Sequence, residues 1–155
     1  MNIGIIVHSK TGNTLSVAER LKEQLIKNGH QATVERVSAV NEDPKPQETT
    51  VLQMSPDVTP YDRLIFAAPV NAFSLSLVMR AYLAQLPELN GKRADIFVTQ
   101  QFPHAWMGGN HTLKQMRSLL EAKGGKVYGE AVVNWSHKDR EGKITAAIQT
   151  MSAGL

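Results

Sequence analysis

Three hydroxyl side chains, Ser9, Thr11 and Thr14, surround a glycine in the segment Ser9-Lys10-Thr11-Gly12-Asn13-Thr14. This combination suits an anion: the hydroxyls donate, and Gly12 lets backbone N–H groups turn toward a ligand at the start of a helix. An ordinary strand-to-helix turn is the competing reading, but a helix cap needs one hydroxyl and three are supplied. Lys10 lies inside the segment, where its charge would assist a dianion or simply face water. Two other segments are rich in groups that hold a ligand rather than react with it. Pro69-Val70-Asn71-Ala72-Phe73 offers an amide and an aromatic ring. Thr99-Gln100-Gln101-Phe102-Pro103-His104-Ala105-Trp106-Met107-Gly108-Gly109-Asn110 combines amides, two large aromatics and a glycine pair. It is long for a connection in which about 2–6 residues suffice.

Which phosphate compound is bound can be narrowed by exclusion. A G-x-G-x-x-G dinucleotide fingerprint needs three glycines and only Gly12 is present; a G-x-x-x-x-G-K-[ST] nucleotide loop is also missing. A response-regulator site needs acidic residues at strand ends, yet the first strand ends in His8-Ser9 and the third in Ala68-Pro69. A monophosphate gripped by hydroxyls and backbone remains. The absence of Cys removes thiol nucleophiles, Cys-ligated zinc, iron–sulfur clusters and disulfides. The five His residues form no i, i+4 pair or His/carboxylate group, so no metal site is expected. His8 adjoins the phosphate loop and reads as a neutral structural residue. His104 and His111 flank the third loop, where a role as proton donors rests on spacing alone.

The elements that must position these loops alternate between strand and helix. Ile3–Val7 is a continuous apolar run interrupted only by Gly4, as in a strand buried on both faces. Leu15, Ala18, Leu21, Leu25 and Ile26 then recur at helical spacing and stop at Asn28-Gly29. Ala32–Val37 alternates as a second strand. Residues 38–60, with Pro44, Pro46, Pro56 and Pro60, read as a long connection with no helix and a short extended piece at Thr50–Leu52. Arg63–Ala68 is a third strand ending at Pro69, followed by a helix over Leu75–Leu86. Ala94–Thr99 is a fourth strand, Thr112–Ala122 a helix and Lys126–Val133 a fifth strand. Ile144, Ala147, Ile148 and Met151 share one face of a last helix. The alternation predicts an α/β fold of one domain spanning 1–155, a doubly wound parallel sheet with helices on both faces. Its ligand site is expected beyond the carboxyl ends of strands one, three and four.

The segment from Ile5 through Thr14, continuing to Ala18 and Leu21, resembles the flavodoxin signature, in which an S/T-x-T-G-x-T loop holds the phosphate of FMN. Val7 departs from the aromatic residue usual in that pattern. The resemblance implies a five-stranded sheet of order 2-1-3-4-5, the arrangement for which flavodoxin is itself the standing example, with FMN at the switch point. It implies that Ser9, Lys10, Thr11, Gly12, Asn13 and Thr14 form the phosphate loop. Pro69, Val70, Asn71, Ala72 and Phe73 would then run along the ribityl chain and one flavin face. Asn71 stands where an aromatic is common, and Phe73 follows two residues later; stacking and core packing are equally open for Phe73. Thr99, Gln100, Gln101, Phe102, Trp106, Gly108 and Gly109 would meet the polar edge and the second face of the ring. Gly108 and Gly109 permit close backbone approach, though a plain turn explains them as well. A Trp in an exposed loop, as Trp106 is expected to be, covers a ligand or a partner surface.

Under this resemblance FMN carries the chemistry and no catalytic side chain is required. One function is a cytoplasmic electron carrier docking on redox partner proteins. The alternative is a small NAD(P)H-dependent FMN oxidoreductase passing electrons to a quinone-like or other small acceptor. A non-catalytic flavin-binding module is the third. Charge bears on the choice. Flavodoxins that carry electrons are typically acidic, whereas this chain has a formal charge of +3. Residues 1–91 carry 8 basic and 9 acidic side chains, and residues 92–155 carry 9 and 5. No dense basic run suggests nucleic acid, no apolar run approaches the roughly 20 residues of a membrane span, and the first residues show no leader.

Overall fold

The computed structural model describes residues 1–104 and 106–153. Strands β1 (Asn2–Val7), β2 (Gln31–Arg36), β5 (Arg63–Asn71), β7 (Arg93–Gln100) and β8 (Lys126–Asn134) form a parallel sheet in the order β2-β1-β5-β7-β8. This is the 2-1-3-4-5 order expected for the five principal strands. The direction of winding reverses between β1 and β5, which places their carboxyl ends at the switch point.

The continuous apolar runs are explained by burial on both faces. Because side chains alternate along a strand, Ile3, Ile5 and Val7 pack against Val17, Leu21 and Leu25 of α1 (Asn13–Lys27) and Ile144 and Met151 of α4 (Arg140–Ser152). Ile6, Phe66 and Ile96 face the other way, onto Met79 and Tyr82 of α2 (Leu77–Ala84) and Met116 and Leu120 of α3 (Gly109–Ala122). Gly4 breaks the run for a steric reason: a Cβ there would lie 2.5 Å from the ring of Tyr61, which fills its place.

Residues 38–60 contain no helix, as expected. The paired piece lies at β4 (Leu52–Met54), antiparallel to β3 (Ser38–Ala39), two residues later than its sequence suggests. β5 continues past Ala68 and through Pro69 to Asn71. Proline is tolerated because β1 pairs only as far as Ala67, so the missing N–H faces no strand on that side. Leu75, expected to open a helix, instead turns back with Ser74 as β6 (Ser74–Leu75) against Val70 and Asn71. α2 starts after Ser76, whose Oγ accepts the Met79 N–H at 3.3 Å. α3 starts at Gly109, three residues ahead of the expected Thr112. Among the described residues no helix is long and apolar enough to cross a membrane.

Candidate functional site

The loops after β1, β5 and β7 enclose a cleft of about 170 Å³ lined by Lys10, Thr11, Asn13, Pro69, Val70, Asn71, Thr99, Gln100 and Gln101. The sequence alone nominates every one of these residues, and the fold brings them together. A larger groove, about 430 Å³, lies between α1 and α4 among Arg20, Glu23, Lys27 and Gln149. It gathers none of the three loops, so its size carries no chemical argument.

In the first loop Gly12 sits at φ 93°, a conformation glycine adopts without penalty. Ser9 Oγ accepts the N–H groups of Gly12 at 3.2 Å and Leu15 at 3.3 Å, which leaves its own proton to donate. The N–H groups of Thr11, Asn13 and Thr14 have no partner among the described residues. They are the free donors of a helix start, where the helix dipole also favours an anion. Thr14 is buried, and its hydroxyl meets that of Thr99 at 2.7 Å, joining the first loop to the third. One of those two hydroxyls accepts, and its proton stays available. Lys10 is paired with Asp43 of the 38–60 segment.

The second loop is strained. Ala72 at φ 49° and Phe73 at φ 65° are the central residues of a two-residue hairpin between β5 and β6. Positive φ at both positions is the type I′ geometry that Asn-Gly adopts readily, and it costs an L-residue about 1–2 kcal/mol. Three contacts hold the hairpin in place. Gln115 Oε1 on α3 accepts the Leu75 N–H at 2.8 Å and the Ser74 hydroxyl at 3.0 Å. Gly108 lies so close that a Cβ would come within 2.8 Å of Phe73 Cα. The result is a Phe73 ring 54% exposed, lying parallel to Phe102 of the third loop with centroids 5.1 Å apart.

In the third loop the buried Gln100 donates from Nε2 to the His104 carbonyl at 2.5 Å, while its Oε1 is buried without a partner among the described residues. Gly109 admits this packing: a Cβ would meet a Val132 methyl at 2.9 Å and Gln100 Oε1 at 3.2 Å. Gly108 therefore serves close approach between loops, and Gly109 close approach to β8 and the end of β7. Asn134 Nδ2 donates to the Phe102 carbonyl at 3.2 Å and steadies that side. Trp106 does not line the cleft. It is 74% exposed and stacks on His104 with centroids 5.9 Å apart. Ala105, between them, lies outside the described residues.

His8 is structural, as its sequence position suggests. It is buried, with Nδ1 2.8 Å from Ser76 Oγ and Nε2 3.0 Å from Glu42 Oε1. A carboxylate only accepts, so Nε2 carries the proton and Nδ1 accepts from Ser76. Burial holds its pKa below the usual 6.5; the charges of Lys10 and Arg36 act in the same direction, and Glu42 opposes them. Glu42, Ser76 and Gln115 are site-supporting residues that sequence reasoning missed, because each acts across at least 34 residues.

The donor set fits a ligand with an anionic tail and a flat, polar-edged ring. Free N–H groups stand at the first loop, and the parallel Phe73 and Phe102 rings stand at the second and third. The flavodoxin family model matches residues 5–146. This chain belongs to the flavodoxin family. Membership supports FMN as its cofactor and electron transfer as its function. The fold is similar to that of a flavodoxin from Streptococcus pneumonia TIGR4, at 18% identity and TM-score 0.69 over 100% of both chains. It is also similar to oxidised flavodoxin 2 from Bacillus cereus, at 14% identity and TM-score 0.70 over 100% of both chains. A flavoprotein from Lactobacillus acidophilus NCFM, solved in complex with FMN, is 17% identical with TM-score 0.64, covering 92% of this chain and 99% of its own. No curated protein matches the sequence.

Proposed function

We propose that the chain, as one domain over residues 1–155, is a cytoplasmic electron carrier that binds FMN in the cleft between its three loops. The convergence of the loops after β1, β5 and β7 on one cleft carries this reading. The phosphate goes to the free N–H groups of Thr11, Asn13 and Thr14 and to the hydroxyls of Ser9 and Thr11, with Gly12 and Lys10 shaping the loop. Val70, Asn71 and the Ala72-Phe73 turn flank one side of the ring, and Gln100, Gln101 and Phe102 flank the other. The Phe73 and Phe102 rings, which touch each other across the rim, separate to admit it. Bound FMN supplies redox steps of one and two electrons, and the protein orients it and limits its contact with water.

Fluorescence titration with FMN and riboflavin tests the assignment. Thr11→Ala removes one hydroxyl donor to a charged group, worth about 1.5–3 kcal/mol. It is expected to weaken FMN binding about tenfold or more and to leave riboflavin unchanged. Equal losses for both ligands contradict the phosphate assignment, and failure to bind FMN removes the cofactor reading. Anaerobic titration of the FMN-loaded protein then separates the classes. Reduction in resolved one-electron steps with negligible NADH or NADPH oxidation supports the carrier. Rapid NAD(P)H turnover with a quinone supports an oxidoreductase.

A further inference from the structure

We propose that the α2–α3 face beside the cleft, together with the exposed aromatic rim, is a docking surface for an electron-transfer protein whose own docking face is acidic. This rests on the cleft being the flavin site, and it names the partner chemistry that the charge of this chain selects.

Two observations meet at this face. The first is charge. A groove of about 600 Å³ between α2 and α3 is lined by Arg80, His111, Lys114, Gln115, Ser118 and Leu119, with no carboxylate among them. Lys114 and His111 are exposed, and neither has an acidic partner among the described residues. Arg80 reaches only the Ser74 hydroxyl among the described residues, at 3.4 Å. Beyond the groove, Arg117 is shared by Glu130 at 2.5 Å and Glu121 at 3.2 Å, which leaves one negative charge there against the two cations Arg80 and Lys114. The second is exposed apolar surface. Phe73, Phe102 and Trp106 are 54%, 41% and 74% exposed, on two loops that adjoin α3 through Gly108. Large exposed aromatics bounded by charge mark protein contact surfaces.

The two regions are continuous, because the Ser74 hydroxyl touches both Arg80 and Gln115 and lies next to Phe73 in the hairpin. Across the cleft the rim is different: Lys10 is neutralised by Asp43, and Glu42 is engaged by His8 and the Ala39 N–H. Positive charge without a carboxylate partner is therefore concentrated on the α2–α3 flank, at Arg80 and Lys114, with Arg36, which donates to the Ser9 carbonyl at 3.4 Å, the exposed cation of the opposite rim. That arrangement both attracts an acidic partner and orients it, since steering acts on the side that carries uncompensated charge.

The test uses the FMN-loaded protein with two probes, a ferredoxin of strongly negative net charge and a cytochrome c of positive net charge. Binding is measured at about 0.01 M and about 0.15 M ionic strength, where the screening length falls from about 30 to about 8 Å. The acidic probe is expected to bind at least tenfold more tightly than cytochrome c at low salt and to lose most of that advantage at high salt. Lys114→Glu and Arg80→Glu are each expected to weaken the acidic probe about fivefold at low salt while leaving FMN affinity unchanged. Lys126→Glu makes the same charge change at the start of β8, far from the loops, and is expected to have little effect. The proposal is overturned if Lys126→Glu acts as strongly as Lys114→Glu, if cytochrome c binds equally well, or if the face is covered by a second copy of the chain in sedimentation experiments. FMN loading is read separately from flavin absorbance. If the chain takes up no FMN, the cofactor reading fails, while the binding arm run without flavin still decides the docking surface.

Discussion

The two ends of the sheet treat polar groups in opposite ways. At the amino end Arg63 and Asp95 are both buried, with Arg63 Nε 2.7 Å from Asp95 Oδ2. Arg63 Nη2 also donates to the Met151 carbonyl at 2.6 Å, and the Gly129 N–H donates to Asp95 Oδ1 at 2.6 Å. Two strands, a third strand's backbone and the end of α4 are thereby tied at one point, with Arg63 Nη1 left over. At the carboxyl end polar groups are left open: three N–H groups of the first loop stand without a partner among the described residues, beside two residues held at positive φ. Polar capacity turned inward stabilises a fold, whereas capacity left open and held in place by strain marks where a ligand is received.

The largest expected effect separates these roles. Asp95→Ala leaves a buried guanidinium without its carboxylate and the Gly129 N–H without its acceptor. Breaking a buried pair in this way costs about 3–5 kcal/mol. Urea unfolding is expected to show a loss of that size, while FMN affinity of the folded protein stays the same. A loss below about 1 kcal/mol, or an FMN affinity that falls with stability, breaks the division between the two ends.

A smaller effect of opposite sign is expected at the hairpin. Ala72→Gly removes about 1–2 kcal/mol of positive-φ cost and adds about 0.5–1 kcal/mol of unfolded-chain freedom, a net gain of up to about 1.5 kcal/mol. The gain in thermal or urea stability should come with FMN binding weakened several-fold, because the Phe73 ring is less firmly held. Improved stability with unchanged FMN affinity would show that the strained turn contributes nothing to binding.

The physical origin of each feature decides how much of it was legible in the sequence. Strands buried on both faces must be largely apolar at consecutive positions, so Ile3–Val7, Leu64–Ala68 and Ile96–Val98 announce themselves, with the buried Asp95 the exception that the last run adjoins. The hydroxyl-rich first loop is local and reads just as directly. The ends of elements are less legible because tertiary pairing decides them. Pro69 lies inside β5 only because β1 ends at Val7, opposite Ala67, and Leu75 joins β6 rather than α2 because Val70 pairs with it. The hairpin within residues 38–60 rests on Ala39 meeting Leu52, which composition does not reveal. The supporting shell of the site was hidden for the same reason. Nothing near Gln115 points to a hairpin 40 residues upstream, and Thr14 gives no hint of its bond to Thr99.

His8 offers the finest test of the contrast, since it is a buried polar group of the closed kind at the open end. It ties the end of β1 to Glu42 in the 38–60 segment and to the Ser76 cap of α2, which steadies two walls of the cleft. Burial, with help from Lys10 and Arg36, lowers its pKa below 6.5. The imidazole is therefore harder to protonate in the folded state than in the unfolded chain. Above 6.5 both states hold it neutral, and its full contribution to stability is present. As the pH falls below 6.5 the unfolded chain takes up a proton that the folded protein resists, so stability declines toward the lowered folded pKa. Urea unfolding at steps between pH 7.5 and 5 is expected to show this decline in the wild type and a flatter profile in His8→Gln, which keeps an amide donor toward Glu42. The wild-type slope attributable to His8 cannot exceed one proton, about 1.4 kcal/mol per pH unit. If the two profiles run parallel, the proton uptake belongs to other groups, and His8 ties the loops together without sensing pH.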